Sequence, residues 1–397
     1  MQVTLAGLGC GTAATLTAEV RKALEGADLL IGAPRLLEAL PSGLTARRES
    51  AVRPREIAEQ LRSSGCEHAC VLYSGDSGFY SGARVLLPLL AEADIQVRVL
   101  PGISSVQYLA ARLGQPWQDW RLRSAHGVLC DAVEAVCHGA PTCFLTGGAS
   151  GPGDLCRQLT EAGLGALSVT VGENLSYPEE RIESGTAAEF AGRTFAPLSV
   201  LLAEAAPTLP RRAPGIPDGE FQRSKVPMTK QEVRSAILGK LSVGPEDVCW
   251  DVGAGTGGVS VELALQARSV WAVERDVEAL ELLRSNRERF CAWKLRIVEG
   301  PAPEALADLP APDVVFVGGS GGKLPEILRT VHNANPRARV CVSAIALETL
   351  HTTLDRLTAL GYETEVTQVS VSRTRPTGTL HLLTAQNPVF LITGVAP

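Results

Sequence analysis

The chain has 397 residues, 45% of them hydrophobic and 20% charged, and a formal net charge of −6. That length exceeds what one hydrophobic core usually fills, so two domains are expected. The acidic balance is spread over both halves and argues against a nucleic-acid partner, because such affinity comes mainly from lysine and arginine.

In chain order, "MQVTLAGLG" lacks the basic start of a secretory signal and reads as a strand running into a glycine turn. "LTAEVRKALEGADLLIG" predicts a helix and a short strand ending at Gly32. "CEHAC" (Cys66, His68, Cys70) is the densest group among ten cysteines that form no CxxC pair. It leads into an apolar strand and reads as free thiols, so no metal is expected and a reducing cytoplasm is the expected home. "HACVLYSGDSGFYSGARVLLPLL" and "IQVRVLPGISSVQYLAARLG" each repeat strand, glycine turn and helix, and "PTCFLTGG", "LSVTVGEN" and "SVLLAE" predict further strands. Strands alternating with helices predict an α/β fold with ligands at the carboxyl ends of the strands. Gly9, Asp76, Ser104 and Ser105 lie on these turns as candidate ligand contacts. Asp76 suits an amine or a sulfonium or simply closes its turn; Ser104 and Ser105 suit a ligand or a helix cap. His126 in "SAHG" reads as a structural histidine before a base.

The proline-rich stretch within 204–227 predicts a linker between domains spanning 1–203 and 228–397. "TKQEVRSAILGKL" then predicts a helix capped by Thr229, with Glu232 completing a capping box. Strands follow at "DVCWDVGAG", "SVWAVERD", "LRIVEG" and "APDVVFVGGSGG", and the strand-rich end comprises "ETEVTQVSVSRT", "GTLHLLTAQ" and "PVFLITG". A parallel sheet finishing in an antiparallel hairpin is expected. No apolar run reaches the roughly 18 residues needed to span a bilayer.

The loop Asp251-Val-Gly253-Ala254-Gly255-Thr256-Gly257-Gly258 also reads as GxGxxG, so a dinucleotide dehydrogenase competes. Charge separates the two readings: a pyrophosphate at the loop is repelled by Asp251, whereas S-adenosylmethionine carries a sulfonium and an ammonium. Glu274, at the end of the next strand, is placed to accept from ribose hydroxyls. "GGSGG" (Gly318 to Gly322) reads equally as a generous turn or as a floor open to a large flat substrate.

The loops of residues 2 to 202, "AGLGCG", "YSGDSGFYSGA", "LPGISSVQYLAARLGQPWQDW", "SAHG" and "VGENLSYPEERI", resemble the tetrapyrrole methylase family. Cys10 and Ser77 depart from it where proline is usual. The resemblance implies two α/β subdomains that hold S-adenosylmethionine between them and methylate carbon 5 of a corrin precursor. "TKQEVR", "WDVGAGTGGVSVE", "IVEGPAPEAL" and "DVVFVGGSGG" resemble the Rossmann-like, class I methyltransferases that act on carbon 15 of such precursors and decarboxylate the acetate on carbon 12. By that resemblance Thr229, Gly253, Ala254, Gly255, Thr256, Gly257, Glu274 and Ala302 hold one cofactor, with another in the first domain; Asp251 joins them as a candidate contact on the charge argument alone. A precorrin substrate bears several carboxylates, so Lys323, Arg373 and Arg375, with Ser320 on the loop, are candidate substrate contacts. The resemblance also implies a homo-oligomer. The alternative is an RNA or protein methyltransferase with a regulatory second domain; RNA enzymes are usually basic or show aromatic–basic stripes, and this chain does neither.

Overall fold

Apolar runs form most strands of the first sheet, and glycine turns end most of them. β1 (Gln2–Gly7), β2 (Leu29–Gly32), β3 (Arg47–Ser50), β4 (His68–Tyr73) and β5 (Gln96–Leu100) lie in the order β3-β2-β4-β1-β5. All pairings are parallel, and in parallel sheets helices cover both faces. Alternate residues divide accordingly: Val3, Leu5, Ile31 and Val71 pack with Ile57 and Leu86, while Ala6, Leu30 and Leu72 pack with Val20 and Leu24.

The second sheet contains β6 (Arg121–Ser124), β7 (Thr142–Leu145), β8 (Ser168–Glu173), β9 (Arg181–Thr186) and β10 (Ser199–Ala203), in the order β6-β7-β10-β8-β9. Only β6 and β7 run parallel; the other pairs are antiparallel. Strands β3, β6 and β9 are edge strands with no fully buried residue, which is why hydrophobicity did not reveal them.

This computed structural model describes residues 1–148, 150–209 and 213–397; positions 210–212 of the expected linker lie outside the described residues. The chain divides into two compact units. One holds Met1–Val136, Ala140–Thr160 and Gly165–Ala205; the other holds Ala206–Pro397 with Cys137–Gly139 and Glu161–Leu164. Among the described residues no helix is long and apolar enough to cross a membrane.

The second unit is built on β11 (Val248–Val252), β12 (Ser269–Glu274), β13 (Leu295–Glu299), β14 (Val314–Val317), β15 (Arg339–Ala344) and β16 (Glu363–Val369). β17 (Ser372–Thr377), β18 (Leu380–Ala385) and β19 (Val389–Val395) complete the chain. The main sheet runs β13-β12-β11-β14-β15-β19-β16, parallel from β13 to β15 with β19 antiparallel to both neighbours. The run "ETEVTQVSVSRT" is therefore two strands. β16 stays in the sheet, and β17 leaves it to pair with β18 alone.

The capping box expected at Thr229 is not formed. The helix Gln231–Leu241 has Lys230 at its cap position with no side-chain cap bond. Asp218, distant in sequence, accepts from Gln231 N at 2.9 Å instead. Glu232 is taken by Arg373, whose Nε donates to it at 3.0 Å. A tertiary acceptor has replaced the local one.

Asp218 belongs to a buried ion network. Arg234, fully buried, donates to Asp218 at 2.8 Å and to Glu262 at 2.7 Å, and also to the carbonyls of Ile216 and Thr229. Glu262 accepts in turn from Gly215 N at 2.6 Å and Ile216 N at 3.1 Å. Burial pushes the Asp218 carboxyl upward, but Arg234 and Arg373 outweigh it and hold the group below its usual range. The network thus fixes the irregular stretch around Ile216 onto two helices.

Candidate active sites

In the second unit the strand order reverses between β11 and β14, the place where open α/β sheets bind ligands. A cleft of about 340 Å³ lies there. Gly253 and Gly319, which follow these two strands, meet backbone to backbone: a Cβ on Gly253 (φ +72°) would lie 2.4 Å from Gly319 O. Only glycine permits that approach. Glu274, at the end of β12, lines the cleft. Its carboxylate accepts from Gly255 N at 2.8 Å, Arg275 N at 2.7 Å and Asp276 N at 3.0 Å, so the acid and the glycine turn hold each other. A carboxylate has about four acceptor sites, which leaves room for a hydroxyl.

Ala302, Ser320 and Lys323 also line this cleft with Gly253. Ala254, Gly255, Thr256 and Gly257 build the turn beside it. Gly257 (φ +80°) admits Leu283, whose Cδ1 would lie 2.3 Å from a Cβ there. Thr256 is buried, and its carbonyl accepts from Asn286 Nδ2 at 2.8 Å.

Asp251 does not reach the cleft lining. Strand alternation puts it on the face of β11 opposite Trp250; it is buried and accepts from the Ser260 hydroxyl. Its Oδ1 has no hydrogen-bond partner among the described residues. Burial pushes its carboxyl up to about 7, against the Ser260 hydrogen bond and with help from the Glu274 charge. The acid read from the sequence as facing a sulfonium is thus a core group beneath the loop.

Thr229 is likewise absent from the lining. Of the expected substrate cations, Lys323 reaches the cleft but donates to Glu304 at 2.6 Å. Arg373 is committed to Asp218 at 2.9 Å and to Glu232, because the second oxygen of the buried Asp218 calls for a cation. Arg375 stands exposed on β17, outside the lining. The residue sequence reasoning missed is Arg275. It lines the cleft against Gly321 and has no side-chain partner among the described residues. Its signal was its place, directly after Glu274 at a strand end.

The first unit holds a larger cavity of about 820 Å³. Loops after β4 and β5 form one wall, with Asp76, Ser104 and Ser105 in the lining; β6, β7 and β10 contribute Arg123, Leu145 and Val200, and Thr146 follows β7 directly. Gly7, Gly75 and Gly102 pack so closely that a Cβ on Gly102 would lie 2.3 Å from Gly75 O and 2.5 Å from Gly7 O. Gly9 is not in the lining; it bridges to Gly75 through bonds of 3.1 and 2.7 Å. Asp76 accepts from Gly78 N at 2.9 Å and Gly102 N at 3.1 Å, which makes it a clamp between two loops. Ser104 caps the helix Ser105–Leu113 in a full capping box with Gln107.

His126 lines the cavity with Nδ1 3.3 Å from Thr146 O. Cys10 lines it as well; burial, and then the Glu180 charge, push its thiol up to about 12, so it stays protonated. Among the polar lining residues, Arg35, Arg123 and Tyr177 were not singled out as candidates from the sequence.

Two family descriptions match this chain. Residues 2–191 match "Tetrapyrrole (Corrin/Porphyrin) Methylases" and residues 220–395 match "Precorrin methyltransferase domain". A Sinorhizobium sp protein named precorrin-6Y C(5,15)-methyltransferase [decarboxylating] is 31% identical over 385 residues, covering 95% of this chain and 92% of that one. The chain belongs to the precorrin-6Y C(5,15)-methyltransferase family. A Pyrobaculum calidifontis protein named probable cobalt-precorrin-6B C(15)-methyltransferase (decarboxylating) is 44% identical over 194 residues, 48% of this chain and all of that one. A solved structure of precorrin-6y C5,15-methyltransferase from Geobacter metallireducens GS-15 covers 46% of this chain and 98% of its own, at 38% identity and a TM-score of 0.45.

Proposed function

We propose that this family member methylates carbons 5 and 15 of precorrin-6Y and decarboxylates the carbon-12 acetate, with one S-adenosylmethionine bound in each unit. The observation that carries the reading is that each family module holds its own cleft at the carboxyl ends of a parallel sheet. When bound, the cofactor supplies an electrophilic methyl group.

The residues present fit that cofactor. The second cleft offers bare backbone at Gly253 and Gly319 and a fixed carboxylate at Glu274 suited to ribose hydroxyls. Methyl transfer is an in-line displacement, so the protein's main task is to hold donor and acceptor about 3–3.5 Å apart. That agrees with sites built from glycine turns and clamped acids, in which no nucleophile–base pair was found among the described residues lining either cleft. In the second cleft Arg275 is placed to meet a substrate carboxylate, and the Lys323–Glu304 pair stands at the rim. For decarboxylation the conjugated macrocycle can take up the electron pair, and the protein's part is to orient the acetate.

A reducing cytoplasm suits the ten free thiols. Self-association suits the β17–β18 ribbon, where Leu380, Leu382 and Leu383 are 64%, 50% and 74% exposed. Isothermal titration with S-adenosylhomocysteine tests the core of the proposal: two equivalents per chain are expected, and one equivalent contradicts it.

A further inference from the structure

The first cavity contains a charged group that no carboxylate among the described residues pairs with. Arg35 is the second residue of the short helix Pro34–Glu38 that follows β2, in "GAPRLL", and it lines the cavity. Its Nη1 donates to Tyr177 Oη at 3.1 Å and its Nη2 to Ser74 Oγ at 3.3 Å. Both partners are neutral, and among the described residues Arg35 makes no ion pair. The carboxylate in the lining, Asp76, has both oxygens engaged by backbone N–H groups.

Two hydroxyls that accept from a guanidinium orient it without cancelling its charge, and each keeps its own proton to donate. Neither the Tyr177 nor the Ser74 hydroxyl donates to another group among the described residues. An arriving carboxylate therefore meets a held guanidinium fork and two hydroxyl donors on one wall. Guanidinium–carboxylate pairs of this sort are the strong, geometrically selective ones.

The arrangement is built deliberately from three separate stretches. Tyr177 comes from "GENLSYPEERI", and its hydroxyl sits over Gly11 of the first glycine turn. A Cβ on Gly11 (φ +105°) would lie 2.0 Å from that oxygen. The missing side chain at position 11 is what lets Tyr177 stand where it holds Arg35. Tyr177 is itself fixed by its N–H, which donates to Asn174 O at 2.9 Å.

We propose that Arg35, oriented by Tyr177 and Ser74, binds an acetate or propionate carboxylate of the tetrapyrrole and so fixes which meso carbon faces the methyl donor in the first unit. This rests on the functional reading above and adds to it the specific anchor. Tyr177 is a positioning residue in this account, and Arg123, the other guanidinium of the lining, supplies a second positive charge to the same cavity.

The test is steady-state carbon-5 methylation of precorrin-6Y by the full chain, with S-adenosylhomocysteine affinity measured in parallel. Arg35→Ala is expected to raise the tetrapyrrole KM about 10–100-fold, as for loss of a charged hydrogen bond, with cofactor affinity unchanged. Arg35→Lys, which keeps the charge and loses the fork, should recover part of that. Tyr177→Phe should raise the same KM about 3–10-fold with little change in kcat. Unchanged cofactor affinity also reports that each variant is folded. A loss of cofactor affinity with the tetrapyrrole KM intact overturns the inference and assigns Arg35 to the cofactor's own carboxylate; no change in either overturns it outright. If the wild-type chain does not methylate the tetrapyrrole at all, the functional reading itself fails and the inference falls with it.

Discussion

The two clefts reach the same kind of site by different constructions. The first, of about 820 Å³, is assembled from the loops of two sheets and is walled by side chains from both. The second, of about 340 Å³, lies at the strand-order reversal of a single sheet. In each, glycine backbones meet at strand ends and an acid is clamped by backbone N–H groups: Asp76 by two, Glu274 by three. The difference lies in the cations. Arg35 is held by hydroxyls and keeps its charge for a ligand, whereas Lys323 has a carboxylate of its own. On the proposal made for Arg35, a binding cation is distinguished by lacking an ionic partner rather than by nearness to a glycine loop.

If the clefts are separate sites, damage to one should spare the other. The largest effect is expected from Arg234→Ala, which leaves Asp218 and Glu262 buried without their cation. Breaking such a network typically costs about 3–5 kcal/mol, so thermal unfolding of the second unit should fall by many degrees while carbon-5 methylation survives at low temperature. Loss of both activities at that temperature would break the comparison. Gly253→Val comes next, because its Cβ collides with Gly319 at a backbone conformation that favours glycine. Carbon-15 methylation and decarboxylation should both disappear, leaving carbon-5 methylation within about twofold of wild type, the residual being a change of under about 0.5 kcal/mol.

Asp251 sharpens the comparison through pH. Its native carboxyl titrates at about 7, against about 3.9 unfolded. A raised native value means the folded state holds the extra proton between those two values. Its stabilising contribution is therefore complete below about 4 and is lost as pH rises through 7. Asp251→Asn should remove that decline, so the stability difference between variant and wild type should grow from pH 5 to pH 8. A constant difference would show that Asp251 is already ionised in the folded chain. The smallest effect is expected at Lys323. It is half-exposed and paired with Glu304, so Lys323→Met should change the carbon-15 substrate KM less than Arg275→Ala, by no more than about fivefold, since exposed ion pairs contribute little.

Much of the fold was legible because apolar runs and glycine turns are local signals. β1, β2, β4, β5 and β11 to β14 follow the hydrophobic runs, and the turns after β1, β4, β5 and β11 mark the sites. Edge strands β3, β6 and β9 were not legible, since exposed strands need no apolar pattern. β15 has one, in "RVCVSA", but no glycine turn follows it to set it off as a strand end. Charge commitments were also hidden. Arg373 and Lys323 look equally free in the sequence, and only tertiary structure brings Asp218 and Glu304 to them. Thr229 carries a capping signature that Asp218 overrides from a distance. Arg35 is legible by the same strand-end rule, since β2 ends at Gly32 and Arg35 lies three residues on.

The most direct test of two sites in one chain is the mass of the tetrapyrrole product made by the wild-type chain and by Glu274→Ala. Wild type should add two methyl groups and release one carbon dioxide, and the variant should add one methyl group and release none. If Glu274→Ala abolishes both methylations or neither, the two clefts do not divide the reaction as described.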